Sequence, residues 1–267
     1  MTLHDIEKDI TSRIAAKYNA FYLAGVDDED AEDIIGEVTK DYAEKEYKEW
    51  SYAYGAMCKF GSCNPNLEDF GDPSFVSVAN QWMMDVEKKN AAPVLIVRDV
   101  HLIFEGALRG DEQALKSVAA IKMLIMTMLY RHEESSDDKH PLIFFIGLRS
   151  SIPPMIERLL TLYEVDYPRE DEIESIIDER ICEIADNVGF DEDDERSRRE
   201  KKMLVNACRG LGRRAIRLIL NRIYEKTGLI CFDRDVERLV NDEKRQEISK
   251  GRVLVLEDVE ETLDDIG

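Results

Sequence analysis

The residues that speak most directly to chemistry are Arg98 and Asp99, set immediately after the apolar run Val94-Leu95-Ile96-Val97. Four apolar residues behind Pro93 read as a strand buried on both faces, which delivers polar side chains at its carboxyl end, where open parallel sheets take their ligands. A site that hydrolyses a triphosphate needs two carboxylates there, one to hold Mg²⁺ through water and one to orient the attacking water. Arg98 stands in the first of these places. A guanidinium stays protonated and repels Mg²⁺, so only Asp99 remains in line as a base.

A second stretch has the outline of a phosphate-binding loop. Ala20-Phe21-Tyr22-Leu23-Ala24 reads as a strand, Gly25 ends it, and the acidic run from Val26 to Asp33 opens a helix through Ile34, Ile35, Val38 and Tyr42. Such a loop needs glycines so that backbone N–H groups can approach phosphate, a lysine for the β and γ phosphates, and a hydroxyl for Mg²⁺. Counted from Gly25, the lysine position falls on Ala31 and the hydroxyl position on Glu32, with Asp27, Asp28, Glu29 and Asp30 between them. Carboxylates suit the first turn of a helix but repel a polyphosphate. Two arrangements follow: these acids pair with Arg98, Arg149, Arg213 or Arg214 inside the protein, or they face solvent. A third reading keeps an ATPase, with Asp99 as base and a metal site completed by His101, Asp27 or Glu32.

The elements that position these residues follow from periodicity. Helices are predicted over 2–18, 75–86, 112–130 and 155–160, and strands over 46–54, 142–148 and 162–167. Residues 58–73 and 104–111 read as exposed loop and turn. Met123, Leu124, Met126, Met128 and Leu129 form a face suited to core filling. From residue 169 onward the pattern is helices only: 170–188, 203–208, 213–224 and 233–249, then an acidic tail. The chain therefore divides into an α/β core, 1–168, and a helical domain, 169–267.

Composition narrows the function classes. The formal net charge of −21 argues against nucleic acid and anionic membrane as partners, because like charge repels phosphate. No apolar run approaches the length of a membrane span, and residues 1–9 are too polar for an export signal. Five scattered cysteines then point to reduced thiols in a cytosol-like, reducing compartment. Cys58 and Cys63 are the one close pair, and without a second Cys/His pair they read as structural thiols. A basic run containing Arg198, Arg199, Lys201 and Lys202 follows an acidic one and continues to Arg222, a candidate protein interface that would meet the acidic body of a neighbour. Arg158 is a further interface candidate.

Taken in order, these features resemble the AAA+ ATPase superfamily. Ala20 to Glu32 stands at the Walker A position, Val94 to His101 at Walker B and Leu142 to Arg149 at sensor 1. Tyr167-Pro168-Arg169-Glu170-Asp171-Glu172-Ile173 resembles the junction before the lid. Gly210-Leu211-Gly212-Arg213-Arg214-Ala215 resembles the sensor 2 turn, and Glu243 to Ile248 the final lid helix. Trp50 near Tyr54-Gly55, Arg98-Asp99-Val100-His101 and Ile152-Pro153 are similar to the degenerate first domain of a chloroplast-reading-frame type ATPase of cyanobacteria, plastids and some phages. The resemblance implies an αβα sandwich with a five-stranded, mainly parallel sheet and an α-helical lid. It also implies a degenerate nucleotide site at Gly25, Asp27, Asp28, Ala31, Glu32, Arg98, Asp99, Arg149, Arg213 and Arg214, and places Arg158 near an arginine finger. With the lysine, hydroxyl and metal carboxylate replaced, the implied function is a pseudo-ATPase scaffold without cofactor, assembling with itself or an active AAA+ partner. ATP and Mg²⁺ are the cofactors of the alternative.

Overall fold

The computed structural model describes residues 2–42, 47–51, 74–87, 94–134, 140–184 and 194–250. They form two compact units, Met1–Asp166 and Tyr167–Gly267.

The first unit is built on three apolar runs, β1 (Ala20–Ala24), β3 (Val94–Arg98) and β4 (Leu142–Gly147). Their residues lack exposed alternation because both faces are covered, as parallel strands require. With β2 (Tyr47–Ser51) and β5 (Thr161–Glu164) they make a five-stranded sheet in the order β2-β3-β4-β1-β5, every pairing parallel. The fold is the expected α/β sandwich.

The two-residue period of a strand sorts the core into two halves. Phe21, Leu23, Val94, Ile96, Phe144 and Ile146 face α1 (Leu3–Ala15) and α2 (Asp28–Val38). Tyr22, Leu95, Val97, Ile143 and Phe145 face α3 (Phe75–Glu87), α4 (Val100–Leu108) and α5 (Glu112–Glu134). Asp9 of α1 accepts from Tyr163 Oη of β5 at 2.6 Å and from Arg13 Nε at 2.7 Å, pinning the helix to the sheet's edge.

Three expectations are corrected here. The predicted exposed turn at 104–111 is largely helix: α4 runs to Leu108, and Phe104 is fully buried. Gly106 hides this in the sequence, yet it is what lets the helix pack, because a Cβ there would stand 2.9 Å from that of Ala114 in α5. The predicted helix 155–160 shrinks to a 3₁₀ turn at Glu157–Leu159, since Leu160 is already extended and leads into β5. The Met/Leu face of α5 is not one core face, for Leu124 and Met128 are buried while Met123 and Leu129 are exposed. The predicted loop 58–73 with Cys58 and Cys63, and the acidic tail, lie outside the described residues.

In the second unit, α6 (Glu170–Ile184), α7 (Glu195–Cys208), α8 (Arg213–Thr227) and α9 (Arg234–Lys250) enclose Ile173, Ile177, Leu204, Ile216, Leu220 and Val240. Helix α7 starts before the predicted 203 because Asp194 caps it, accepting from the N–H groups of Arg196 and Ser197. Each of α6 and α9 packs against both α7 and α8, which places α7 and α8 at opposite corners of the bundle. Burial pushes the Cys208 thiol up to about 12, a structural rather than reactive cysteine. Among the described residues no helix is long and apolar enough to cross a membrane.

Candidate functional site

Strand alternation decides where Arg98 goes. Val94 and Ile96 face the α1/α2 side, so Arg98, two residues on, emerges on that side at the carboxyl end of β3. In β2, Trp50 packs into the opposite core half, which turns Glu49, in register with Ile96, toward the same side as Arg98. Asp28 and Glu32 are one turn apart on α2 and share a face. Arg98 is seated among all three. Its Nη1 donates to Asp28 Oδ1 at 2.5 Å, its Nη2 to Glu32 Oε1 at 2.5 Å, and its Nε to Glu49. The side chains of Arg98 and Glu49 are only 15% and 14% exposed. One guanidinium thus ties two strands to the first turn of α2, with carboxylates in excess.

The loop before α2 is short. Only Gly25, Val26 and Asp27 separate β1 from α2. Gly25 has φ +70°, the left-handed conformation glycine adopts without strain, and its N–H donates to the Gly147 carbonyl at 2.8 Å. Ala31, at the lysine position, already lies inside the helix, fully buried, with its N–H donating to the Asp27 carbonyl. Asp27 is the N-cap residue but makes no side-chain cap bond. Arg149 lies against the loop: a Cβ on Gly25 would meet its Cγ at 3.4 Å. Its Nη2 is 3.6 Å from the Glu164 carboxylate, and the side chain is 56% exposed.

Of the predicted internal pairs, Arg98 with the acidic run is therefore present through Asp28, while Glu32, expected at the hydroxyl position or as a metal ligand, joins it as an unpredicted partner. Glu49 is a partner the sequence reading missed. The alternation of Glu49 against Trp50 was the available signal.

Asp99 is held elsewhere. With φ +57° it turns the chain from β3 into α4, and its Oδ2 accepts from Ser51 Oγ at 3.1 Å. His101 Nδ1 accepts from the Leu148 N–H at 3.3 Å, in a spot where a Cβ on Gly147 would come within 2.8 Å of that nitrogen. Asp99, proposed above as base, thus turns to Ser51, and of the proposed metal ligands His101, Asp27 and Glu32, His101 turns to Leu148 and Glu32 to Arg98. Among the described residues no group of three or more His, Cys, Asp or Glu is placed to hold a metal ion. A buried alanine, a guanidinium at the metal position and an acidic first turn do not fit a Mg²⁺-triphosphate.

In the second unit Arg213 is 5% exposed and donates to Glu172 at 2.5 Å, whereas Arg214 is exposed. Arg158, Arg198, Arg199 and Lys202 are exposed. Lys201, expected on the same basic surface, is not: only 12% exposed, it bridges Glu174 at 3.1 Å and Asp178 at 2.8 Å. Burial pulls its pKa down, but the hydrogen bonds to Asp178 and Glu174 outweigh that and raise it. The expected single basic stripe through Arg222 is likewise broken, because α7 and α8 sit at opposite corners and Arg222 pairs with Glu243.

Comparison with known proteins places the fold. The family model described as SpoVK-like AAA ATPase, N-terminal domain, matches residues 6–165, nearly the whole first unit. The chain belongs to this AAA family. Among solved structures, that of Caenorhabditis elegans PCH-2 aligns with a TM-score of 0.56 and 13% identity, covering 91% of this chain and 68% of that one. The Escherichia coli MS115-1 HORMA:CdnC:Trip13 complex contains a chain that aligns with a TM-score of 0.60 and 12% identity, over 90% of this chain and 87% of the other. At such identities the likeness is one of fold, and it is the AAA+ fold. No curated protein sequence matches.

Proposed function

We propose that this SpoVK-like AAA chain is a pseudo-ATPase, a protein-assembly module whose nucleotide cleft is filled by its own ions. The observation that carries the reading is Arg98 seated among Asp28, Glu32 and Glu49. In a working AAA+ module, metal and phosphate bridge the loop after the first strand to the strand that carries the metal carboxylate. Here one side chain makes that bridge without nucleotide, and the lysine that would meet the phosphates is a buried alanine. Within the superfamily the reading assigns it to the degenerate first-domain type of the chloroplast-reading-frame ATPases, working in cytoplasm or plastid stroma, on the strength of the motifs Arg98-Asp99-Val100-His101 and Ile152-Pro153.

The partner is a protein, either another copy of this chain or a competent AAA+ subunit. The neighbour from E. coli, solved in a complex with HORMA and CdnC, supports a protein partner. No cofactor is assigned. Calorimetric titration of the full chain with Mg²⁺-ATP tests the reading. No binding heat at millimolar nucleotide is expected. Micromolar affinity would instead favour an ATPase with Asp99 as base and ATP and Mg²⁺ as its cofactors.

A further inference from the structure

We infer that the outward face of α7 in one copy of this chain docks, antiparallel, on the outward face of α2 in a second copy. The inference rests on the assembly-module reading and names both the partner and the surfaces.

Helix α7 supplies the cations. At about 100° per residue, Lys202, Asn206, Arg199 and Met203 fall within about 100° of one another, on the side away from the buried Leu204, Val205 and Cys208. All four are exposed, and Arg198 extends the face beside Lys202. Among the described residues Arg198, Arg199 and Lys202 have no ion-pair partner, whereas Arg196 at the other border pairs with Glu200 at 2.9 Å. Glu195 is the one acid in the middle of this side, in the first turn, where the helix dipole favours it. Three unneutralised cations on one helix face stand out on a chain of net charge −21, and the surface that meets them has to be acidic.

Many surfaces of such a chain are acidic, and two features single out α2. The first is that residues 28–38 include no cation. Glu29, Glu32, Asp33 and Gly36 fall within about 100° on the side away from the buried Ala31, Ile34, Ile35 and Val38. Asp28 and Glu32 are engaged by Arg98, and Glu37 by Lys40, with Glu29 and Asp33 exposed between them. The second feature is Gly36. Glycine inside a helix weakens it relative to alanine, and Gly106 of α4 shows what compensates, since a Cβ there would crowd Ala114. A Cβ on Gly36 would meet nothing within 4 Å, so no described neighbour requires the glycine. What it does is leave the α2 backbone open to close approach from outside.

The charges fix the direction. Laid antiparallel, Lys202 reaches Glu29 as Arg199 reaches Asp33. The two cations are about 4.5 Å apart along their axis and the two acids about 6 Å, a difference that long side chains absorb. Gly36 then lies under the first turn of α7, and each helix end meets the opposite dipole of the other. The parallel alternative sets Glu195 against Glu29. Every copy carries both faces, so the contacts run head to tail. Such an interface is small and polar, which makes the association weak and salt-dependent.

The full chain provides the test. Sedimentation velocity over a concentration series should show reversible self-association that weakens as salt rises. Arg199→Glu and Asp33→Arg, both at exposed positions, should each weaken it at least about tenfold. Mixed in equal amounts, the two variants should recover one contact, because the first keeps the acidic face and the second the basic one, and the mixture should stop at heterodimers. Monomers of the parent chain at every concentration, variants that associate as the parent does, or a mixture that stays monomeric would overturn the proposal. Neither Arg199 nor Asp33 is a partner of Arg98 and no nucleotide enters the readout, so failure here is separate from failure of the pseudo-ATPase reading.

Discussion

Strands β3 and β4 lie side by side, and the chain places an arginine at or just beyond the carboxyl end of each, yet the two arginines do different things. Arg98 is 15% exposed and is held by three carboxylates from α2 and β2. Arg149 is 56% exposed and has Glu164 at 3.6 Å. The difference is one of desolvation. A guanidinium out of water must be matched by anions fixed in place, and those anions become as dependent on it as it is on them. A solvated guanidinium pairs weakly and can be lost at little cost. The same residue type is a structural tie in one strand end and a surface charge in the next.

The contrast is broken most severely by Arg98→Ala, which strands a largely buried Glu49 and two α2 carboxylates around an empty centre. Thermal denaturation should show a loss of about 2–4 kcal/mol, somewhat below the roughly 3–5 kcal/mol of a fully buried broken pair because Asp28 is exposed. Glu49→Gln keeps the shape and removes one anion while Asp28 and Glu32 remain, so a loss of about 1–2 kcal/mol is expected by the same measurement.

An intermediate case sharpens the comparison. Asp9 is held below the usual carboxylate range, first by the Tyr163 hydroxyl and then by Arg13. A depressed carboxylate contributes stability above its unfolded pKa and loses it as pH falls through the folded value. Asp9→Asn should therefore be less stable than the parent by about 1 kcal/mol near neutral pH. That gap should narrow as the pH drops below the ordinary value of 3.8 and close below the depressed folded value, read by melts across a pH series. The smallest effect belongs to Arg149→Ala, under about 0.5 kcal/mol in the same melts and smaller still in high salt.

Much of this architecture is legible in the amino-acid order because of where the residues end up. β1, β3 and β4 are buried on both faces, so they appear as unbroken apolar runs that need no partner to be recognised. β2 is less plain: alternation with Trp50 turns Glu49 away from the core half that Trp50 fills, but that this brings it beside Arg98 depends on the register with β3, which no local pattern states. Helix α4 was hidden by Gly106, whose reading as a turn signal is correct for an isolated chain and wrong where two helices cross closely. In the site, Arg98, Asp28 and Glu32 stood out as chemistry in the wrong place. That Arg213 and Lys201 would be absorbed by Glu172, Glu174 and Asp178 of α6 could not be seen, because helix-to-helix contact in the bundle decides it.

The central claim is that the chain's own ions hold the cleft that a nucleotide would otherwise hold. The most direct measurement is the melting temperature of the first unit in the full chain with and without millimolar Mg²⁺-ATP, since any ligand of the native state raises it by mass action. An unchanged melting temperature is predicted. A saturable rise of several degrees would contradict the account.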